Sequence, residues 1–378
     1  MTTLRVIVDP VLAETPDGVS RYAQELTAQL IATAPAGCDV EGVVSAHAGN
    51  DEARLTRLLP GLAGVNALPL GRRELTLAWQ MGARLPALTG MIHSPSLLAP
   101  LRRHDRRTDG TQVVVTMHDI TAWTAPETLS APEVLWQKAM AKRARKHADA
   151  IIVPTHAVAE QLAEAVDFGD RIRVIGGAPT ASLEVPMDAA GRAARLGLPD
   201  RYVATVGTLE PRRGIRALIE AMSLPQLDGV SLVIAGEDAY GDERISDVAM
   251  ALGLPEGRVR ALGVLDDADL AVLLSRAAVF VYPSLASGFG LPMIEAFQLG
   301  APVVHSDDAA LLEVASGAGI TVAREDASGY PGRLAAAIAE VLDDASLADR
   351  LAVAGSDRAR AFSWRDAAER VWQLHADL

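Results

Sequence analysis

Cysteine is almost absent from this sequence, since its 378 residues include only Cys38. A single thiol cannot form an intramolecular disulfide, which excludes a small disulfide-stabilised scaffold and a zinc site built from several cysteines. A lone cysteine of this kind usually packs as a small apolar side chain. We therefore expect Cys38 to be a buried small apolar side chain.

The sequence also lacks an excess of positive charge. It has 35 Lys and Arg against 48 Asp and Glu, a net charge of −13, and its pI is near 5.1. Nucleic-acid-binding domains are usually basic, so we expect no nucleic-acid partner. The charge is uneven, because residues 1–176 hold 18 basic and 19 acidic residues while the remainder holds 17 and 29. The second half is therefore the acidic half, at −12 against −1.

Long apolar segments are missing as well. One long uncharged stretch, residues 85–101, is interrupted by Pro95 and Pro100, whereas a membrane-spanning helix needs about 20 mostly apolar residues. The apolar run at the N-terminus ends at Asp9, which makes it too short for a signal peptide. We expect a cytoplasmic enzyme or binding protein.

Short β-branched apolar runs alternate with amphipathic segments along the chain. The runs predict strands at LRVIV, DVEGVV, QVVVT and ADAIIV in the first half, and at YVATVG, SLVIAG, VRALG, AVFVYPS, APVVHS and GITVA in the second. The amphipathic segments predict helices at 19–34, 132–147, 215–222, 266–275 and 292–299. This alternation indicates an α/β architecture with parallel sheets.

The alternation is interrupted once, near residues 176–200, where no strand pattern occurs. A chain of this length also exceeds the size of one hydrophobic core. We predict two domains of similar size, residues 1–178 and 179–362. A cleft between two such domains is a common place for a ligand.

Residues 282–304 contain the most informative motif. A predicted strand leads into a loop with Ser287 and Gly290, and Pro292 stands where a first helical turn accepts proline. Glycines at such a junction let an anion approach free backbone N–H groups. Glu295 could reach over the loop and accept hydrogen bonds from sugar hydroxyls. The alternative is an ordinary turn, with Glu295 as a favourable charge near a helix N-terminus.

Two arginines, Arg212 and Arg213, follow the strand YVATV in the segment GTLEPRRGI. Open parallel sheets bind ligands at the carboxyl ends of their strands, and paired guanidinium groups fit a diphosphate. A solvated surface pair is the alternative interpretation. The sequence alone leaves both open.

Gly18 and His118 hold comparable positions in the first half. Gly18 precedes a helix after the first predicted strand, where its backbone could approach a phosphate. His118 follows QVVVT and could donate a hydrogen bond to a reacting oxygen or a sugar hydroxyl. A helix cap and a structural histidine bonded to the backbone are the alternatives.

One predicted helix is basic, with Lys138, Lys142, Arg143, Arg145 and Lys146. Such a helix can bind an anionic membrane surface. A solvated helix face is the commoner explanation. The sequence has no GxGxxG after its first strand, no Walker motif and no HExxH.

Together these segments resemble the large retaining glycosyltransferase family 4, the glycosyl transferases group 1. The pattern PSLxxGFGLPxxEAxxxGxPVV and the segment VGTLEPRRG carry the resemblance, which covers essentially the whole chain. It implies the GT-B fold, in which two Rossmann-like parallel-sheet domains face each other across a cleft. It also implies a last helix, residues 363–378, that crosses back to the N-terminal domain.

The resemblance implies roles for individual residues. Arg212 and Arg213 would bind the donor diphosphate, and with His118 at the reacting centre they would be the catalytic residues. The nucleotide sugar would lie in the C-terminal domain and the acceptor in the N-terminal domain, with no metal and no further cofactor. The expected donor contacts are the ribose ligand Glu295, Leu265 against the base, and Gly18, Ser287, Phe289, Gly290 and Leu291 around the sugar and phosphates.

The sequence departs from the family at three positions. The family motif has two glutamates separated by seven residues, but Ser287 takes the first position and only Glu295 remains. Serine brings no charge, which leaves the donor sugar open. Asp17 precedes Gly18 where two glycines are common, and Arg213 stands where lysine is usual.

The segment VTMHDITAW is most similar to family members that use GDP-mannose or a related hexose donor. We therefore expect retaining transfer of mannose to an acceptor hydroxyl. A lipid-linked glycan is one candidate acceptor, and the basic helix between Lys138 and Lys146 would then contact the inner face of a membrane. Two alternatives remain: a non-catalytic relative that binds a nucleotide sugar or glycan, for which Ser287 is the support, and a nucleotide-sugar 2-epimerase on the same fold.

Overall fold

The computed structural model describes residues 2–13, 15, 17–46, 50–83, 85, 88–108 and 110–378. They form two compact units. The first contains the residues up to Gly177 together with Ser363–Leu378, and the second is Ala178–Phe362.

The first unit is built on one parallel sheet. Its strands are β1 (Thr2–Ile7), β2 (Cys38–Val44), β3 (Gly64–Ala67), β4 (Met91–Ser94), β5 (Gln112–Thr116), β6 (Ala150–Val153) and β7 (Ile172–Val174). Its first helices are α1 (Gly18–Ala32), α2 (Asn50–Leu58), α3 (Arg72–Met81), α4 (Thr121–Thr124), α5 (Ala131–His147) and α6 (His156–Ala165). Over the described residues the strand order is β3-β2-β1-β4-β5-β6-β7.

The second unit repeats this design. Its strands are β8 (Tyr202–Val206), β9 (Ser231–Ala235), β10 (Ala239–Tyr240), β11 (Glu243–Arg244), β12 (Val259–Ala261), β13 (Val279–Tyr282), β14 (Val303–Ser306) and β15 (Ile320–Val322). Its helices are α7 (Ala189–Leu196), α8 (Ile215–Met222), α9 (Ile245–Ala251), α10 (Asp267–Ser275), α11 (Leu291–Gln298), α12 (Ala309–Ala315), α13 (Tyr330–Asp343) and α14 (Ala345–Ala359). The parallel sheet has the order β12-β9-β8-β13-β14-β15, and β10 and β11 form a separate antiparallel hairpin.

These two sheets confirm the predicted α/β architecture with parallel strands. Every residue of β6 and of β13 is buried, as expected for strands that helices cover on both faces. Such strands give the continuous apolar runs from which the sequence predicted them.

A last helix, α15 (Trp364–Asp377), returns the chain to the first unit. Ser363 caps its N-terminus by accepting a hydrogen bond from the Asp366 backbone N–H. The indole Nε1 of Trp372 donates to the Leu30 carbonyl of α1 at 3.1 Å. The apolar face of α15 is therefore part of the first unit's core.

In each sheet, the later strands are added on the opposite side of the first strand from the earlier ones. In the first unit the chain runs from β1 outward to β2 and β3, then resumes at β4 on the other side of β1. In the second unit the same reversal separates β8 from β13. Loops at the carboxyl ends of the strands diverge at such a point and leave room for a ligand. Most of the predicted site residues of both units lie on these loops, on those of the adjacent strands or on the helices that follow them; Leu265, which follows the edge strand β12, is the exception.

Cys38 is half-buried at the start of β2, so the expectation of a fully buried cysteine is wrong. The first two residues of β2 are only partly covered, and full burial begins at Val40. Among the described helices, none is long and apolar enough to cross a membrane.

Candidate functional site

The N-terminus of α11 offers a row of unpaired backbone donors. Gly290 precedes α11 with φ of +83°, a left-handed conformation that favours glycine. Among the described residues, the backbone N–H groups of Phe289, Gly290 and Leu291 have no hydrogen-bond acceptor. Pro292 occupies the first turn, as predicted. Three free N–H groups at the positive end of a helix suit an anion such as a phosphate.

Glu210 holds the arginine pair in place. Its Oε2 lies 3.0 Å from Nε of Arg212 and 3.7 Å from Nε of Arg213. Arg213 also donates from Nη1 to the hydroxyl of Tyr282, at 3.5 Å. One carboxylate between two guanidinium groups leaves a net positive charge at the end of β8, which suits a diphosphate.

The loop that carries the arginines is fastened to the loop after β13. The carbonyl of Arg212 accepts hydrogen bonds from the backbone N–H of Leu285 at 2.7 Å and from Oγ of Ser284 at 3.1 Å. Gly214 packs so closely that a Cβ there would collide with the Pro283 carbonyl. The structure therefore brings the two sequence motifs together, because β8 and β13 are neighbours in the sheet.

Ser287 lies beside a carboxylate that the sequence analysis missed. Its backbone N–H donates to Oδ2 of Asp308, which follows β14, at 3.4 Å. Asp308 is 8% exposed, and burial raises the pKa of its carboxyl, although the nearby Arg324 guanidinium opposes that shift. No sequence signal links the two residues, since they are 21 positions apart.

Glu295 is oriented differently from the sequence-based expectation. It lies on α11 and is 2% exposed, and its Oε1 accepts a hydrogen bond of 2.8 Å from the Thr180 hydroxyl. The side chain therefore does not reach openly over the loop. Thr180 comes from the first residues of the second unit, so a residue beside the domain boundary positions the expected ribose ligand.

Leu265 and Phe289 both pack partly into the core of the second unit. Leu265 follows β12, and its neighbour Val264 is exposed. The ring of Phe289 packs edge-on against Phe362, with 5.6 Å between ring centroids. The Phe289 side chain is therefore held by the protein, while its backbone N–H stays available.

His118 lies at the end of β5 in the first unit. Its Nε2 is 2.7 Å from the Pro95 carbonyl, which can only accept, so Nε2 carries the hydrogen. Burial lowers the pKa of His118, partly offset by this hydrogen bond and by Asp119, so the ring is neutral at pH 7. The sequence predicted a hydrogen-bond donor toward the substrate, but in the neutral ring Nδ1 is an acceptor. It can take a hydrogen bond from a sugar hydroxyl.

Gly18 is the exposed first residue of α1, and Asp17 caps this helix by accepting from the Ser20 backbone N–H at 2.8 Å. A Cβ at position 18 would meet no heavy atom within 4 Å. The protein's own packing therefore does not require glycine here.

Both arginines of the basic helix α5 donate hydrogen bonds to backbone carbonyls, although Arg145 stays exposed. Arg143 donates from Nε to the Leu101 carbonyl at 3.0 Å, and Arg145 donates to the Asp167 carbonyl at 3.1 Å. Lys138, Lys142 and Lys146 remain on the exposed face. The basic stripe is thus narrower than the sequence suggested, because Arg143 points toward the protein.

The second unit therefore brings together Arg212, Arg213, Ser287 and Gly290 on adjoining loops, whereas Gly18 and His118 belong to the first unit. Three residues that the sequence analysis missed, Glu210, Thr180 and Asp308, support this group. Glu210 is close enough in sequence to Arg212 for its role to have been suspected. Among the described residues, no three His, Cys, Asp or Glu side chains group as metal ligands.

Known proteins are similar to this chain throughout. At the level of families, a model for Glycosyltransferase Family 4 matches residues 16–178, and one for Glycosyl transferases group 1 matches residues 192–358. The chain is 29% identical over 289 residues to O-antigen chain mannosyltransferase B of Escherichia coli, covering 73% of this chain and 71% of that protein. It is 34% identical over 178 residues to the E. coli serotype-specific mannosyltransferase WbdA, covering 45% of this chain but only 22% of that longer protein.

A solved structure shows the same fold. HepE of Anabaena, in complex with UDP-glucose, matches over 100% of both chains with a TM-score of 0.76 and 18% sequence identity. The two family models cover one structural unit each, up to residue 178 and from residue 192. The chain therefore belongs to the family 4 (group 1) glycosyltransferases, with the GT-B fold that the sequence predicted.

Proposed function

We propose that this glycosyltransferase moves mannose from GDP-mannose to a hydroxyl of an acceptor glycan, with retention of the anomeric configuration. The observation that carries the proposal is the convergence of two anion-binding elements. The free N–H groups of Phe289, Gly290 and Leu291 begin α11, and the loop with Arg212 and Arg213 is hydrogen-bonded to the same β13–α11 connection. This arrangement suits the diphosphate of a nucleotide sugar.

Two names among the relatives support the choice of sugar and acceptor. The E. coli O-antigen chain and serotype-specific enzymes are both called mannosyltransferases. HepE was solved with UDP-glucose, a nucleotide diphosphate sugar. The two mannosyltransferase names favour mannose as the sugar and a surface polysaccharide as the acceptor, and HepE supports a nucleotide diphosphate sugar as the donor.

The reaction breaks the bond between the anomeric carbon and the diphosphate oxygen. Negative charge grows on that oxygen, where Arg212, Arg213 and the N-terminus of α11 stabilise it. The acceptor hydroxyl attacks from the face that the diphosphate leaves and passes its proton to the departing GDP. Neutral His118 accepts a hydrogen bond from a sugar hydroxyl through Nδ1. The chemistry requires neither a metal ion nor a side-chain nucleophile.

A thermal-shift screen of the full chain with GDP, UDP, ADP, dTDP and their sugars tests the donor. A nucleotide at 100 times its Kd stabilises the native state by about 2.7 kcal/mol. We expect GDP and GDP-mannose to raise Tm most. A Tm unchanged by every nucleotide would contradict the proposal.

Ser287 favours a second candidate, a relative that binds a nucleotide sugar without transferring it. Slow release of GDP and mannose from GDP-mannose in the absence of acceptor would exclude that candidate. Conversion of the sugar to its 2-epimer would instead identify an epimerase.

A further inference from the structure

The carboxyl group of Asp308 stands at the carboxyl edge of the second unit's sheet, next to the β13–α11 loop. Strands β13 and β14 pair in register, with Tyr282 opposite His305, so the residues after both strands lie at one edge. Asp308 follows β14 by two residues, and its Oδ2 lies 3.4 Å from the backbone nitrogen of Ser287. The Asp308 side chain therefore connects the segment after β14 to the backbone of Ser287 in the β13–α11 loop.

The two oxygens of Asp308 are used unequally. Oδ1 caps α12 by accepting from the backbone N–H of Ala310 at 3.0 Å and of Leu311 at 3.4 Å. Among the described residues, Oδ2 has only the long contact to Ser287 and an ion pair of 3.6 Å with Arg324. An ionised carboxylate oxygen can accept two good hydrogen bonds, so Oδ2 retains acceptor capacity.

Arg324 cannot fully neutralise Asp308 because it serves other partners. Its Nε donates to Oδ1 of Asp307 at 2.7 Å, and its Nη1 donates to the Leu285 carbonyl. Two carboxylates and one guanidinium leave a net charge of −1 beside the loop. A group with hydroxyl donors fits this charge at Asp308, while the phosphates fit the free N–H groups of Phe289, Gly290 and Leu291 farther along the loop.

A nearly buried carboxylate in which one oxygen has only long contacts is costly to maintain, and such groups concentrate at functional sites. Asp308 is 8% exposed, while the side chain of Ser287 is half-buried and uncharged. Asp308 therefore supplies the negative charge that Ser287 cannot supply at this point of the loop.

We propose that Asp308 selects the donor sugar, its Oδ2 accepting a hydrogen bond from one hexose hydroxyl beside Ser287. This inference rests on the proposed function, since it requires a nucleotide sugar on the β13–α11 loop. It makes the enzyme selective for donors with that hydroxyl and leaves recognition of the nucleotide unchanged.

The test compares wild-type protein with Asp308→Asn, using GDP-mannose and its monodeoxy analogues. Asparagine keeps an oxygen to cap α12 but removes the charge. We expect kcat/KM for GDP-mannose to fall about 10–100-fold, the range in which a lost charged hydrogen bond discriminates substrates, while the Kd for GDP changes less than twofold. For the one analogue that lacks the contacted hydroxyl, wild type and variant should react equally.

Asp344→Asn is the matched control, because Asp344 caps α14 by accepting from the Leu347 N–H at 3.0 Å. It should behave as wild type with every donor. If Asp308→Asn does not fold, Asp308→Ser, which also retains a capping oxygen, should show the same donor pattern.

The outcomes separate the two claims. Equal ratios of kcat/KM across all donors in wild type and variant would overturn the role of Asp308 while leaving the transferase intact. If GDP-mannose is not a substrate but UDP-glucose is, the UDP-glucose analogues decide the question in the same way. If wild type binds no nucleoside diphosphate, the proposed function fails and this inference fails with it.

Discussion

Glu210 illustrates how single residues shape the candidate site. Its carboxylate lies between the guanidinium groups of Arg212 and Arg213, so both side chains are oriented before any ligand arrives. Groups that are already oriented need little reorganisation when charge develops on a leaving group. The arginines should therefore stabilise the transition state more than they stabilise the bound donor in the ground state.

Replacing Arg213 by alanine should therefore lower turnover more than it weakens donor binding. We expect kcat to fall by about 10²-fold, the usual effect of losing one such donor, with a smaller rise in the KM for donor. Arg216→Ala is the matched control, because Arg216 on α8 is exposed and pairs with Glu243. Steady-state kinetics with varied donor would distinguish the roles: an unchanged kcat with a raised KM would mean that Arg213 only binds.

Thr180 should control nucleotide affinity through Glu295. Thr180→Val keeps the shape but removes the 2.8 Å hydrogen bond to a buried carboxylate. We expect nucleoside diphosphate binding to weaken by about 1–2 kcal/mol, roughly 5–30-fold in Kd. Thr180→Ser, which retains the hydroxyl, should restore most of the affinity in calorimetry. Equal affinity of the Val variant would show that Glu295 is not held for the nucleotide by Thr180.

At the scale of elements, the helix α5 carries every lysine of the chain. Lys138, Lys142 and Lys146 are spaced by four residues, so they form one exposed stripe. Leu135 continues this stripe as an exposed apolar side chain. Amine reagents can therefore modify this helix face alone, apart from the chain's N-terminal amine.

This stripe makes membrane association testable by chemistry rather than mutation. If α5 meets an anionic bilayer, binding to vesicles with phosphatidylglycerol should decrease with salt, at about 1 kcal/mol for each basic residue. Acetylation of the lysines should abolish it, whereas reductive methylation, which keeps the charge, should preserve it. If acetylated and methylated protein co-sedimented with the vesicles to the same extent, α5 would be excluded as the membrane contact.

The contact between β4 and α15 predicts an acid-sensitive stability. His93 and His375 are both buried, with 5.7 Å between their ring centroids. Burial lowers the pKa of His375 to about 4, against the opposing effect of Asp149, and lowers the pKa of His93 well below 6.5, with repulsion from His375 adding to the shift. The unfolded chain therefore binds protons first, and stability falls as pH drops from about 6.5 toward 4.

His375→Asn provides the measurement. Asparagine can replace the Nδ1 donor toward the Gln112 side-chain oxygen, which lies 3.1 Å away, but it does not titrate. Each depressed histidine contributes up to about 1.4 kcal/mol per pH unit, so denaturant unfolding at pH 8 and pH 5 should show a smaller loss for the variant. An identical pH dependence would contradict buried, neutral His375.

The elements also show what a sequence can predict. Helix α8 was predicted at 215–222, its observed bounds, because its apolar face repeats at helical spacing and Gly214 marks its start. Strands of three or four residues carry little periodicity and are predicted unevenly: β12 and β15 were found, whereas β3, β4 and β7 were missed. The burial of Glu295 also depends on a partner 115 positions away, which periodicity does not reveal.

At the scale of the whole molecule, the order of strands decides which motifs meet. The sequence predicted parallel sheets and predicted ligand-binding residues in the loops after β8 and β13. The strand order of the sheet then places these two strands side by side. The contact between Asp308 and Ser287 arises in the same way, from the pairing of β13 with β14. The resemblance of two motifs to a known family therefore predicted the family, while the supporting contacts required the fold.

The central claim is retaining transfer from a nucleotide diphosphate sugar, and one measurement tests it most directly. The protein is incubated with GDP-mannose and a mannose-terminated oligosaccharide, and proton NMR follows the anomeric signals. The account predicts that GDP appears together with a new α-mannoside, the configuration of the donor. A β-linked product would contradict retention, and unchanged GDP-mannose beside efficient consumption of another nucleotide sugar would contradict mannose as the sugar. No turnover of any nucleotide sugar would contradict the account as a whole.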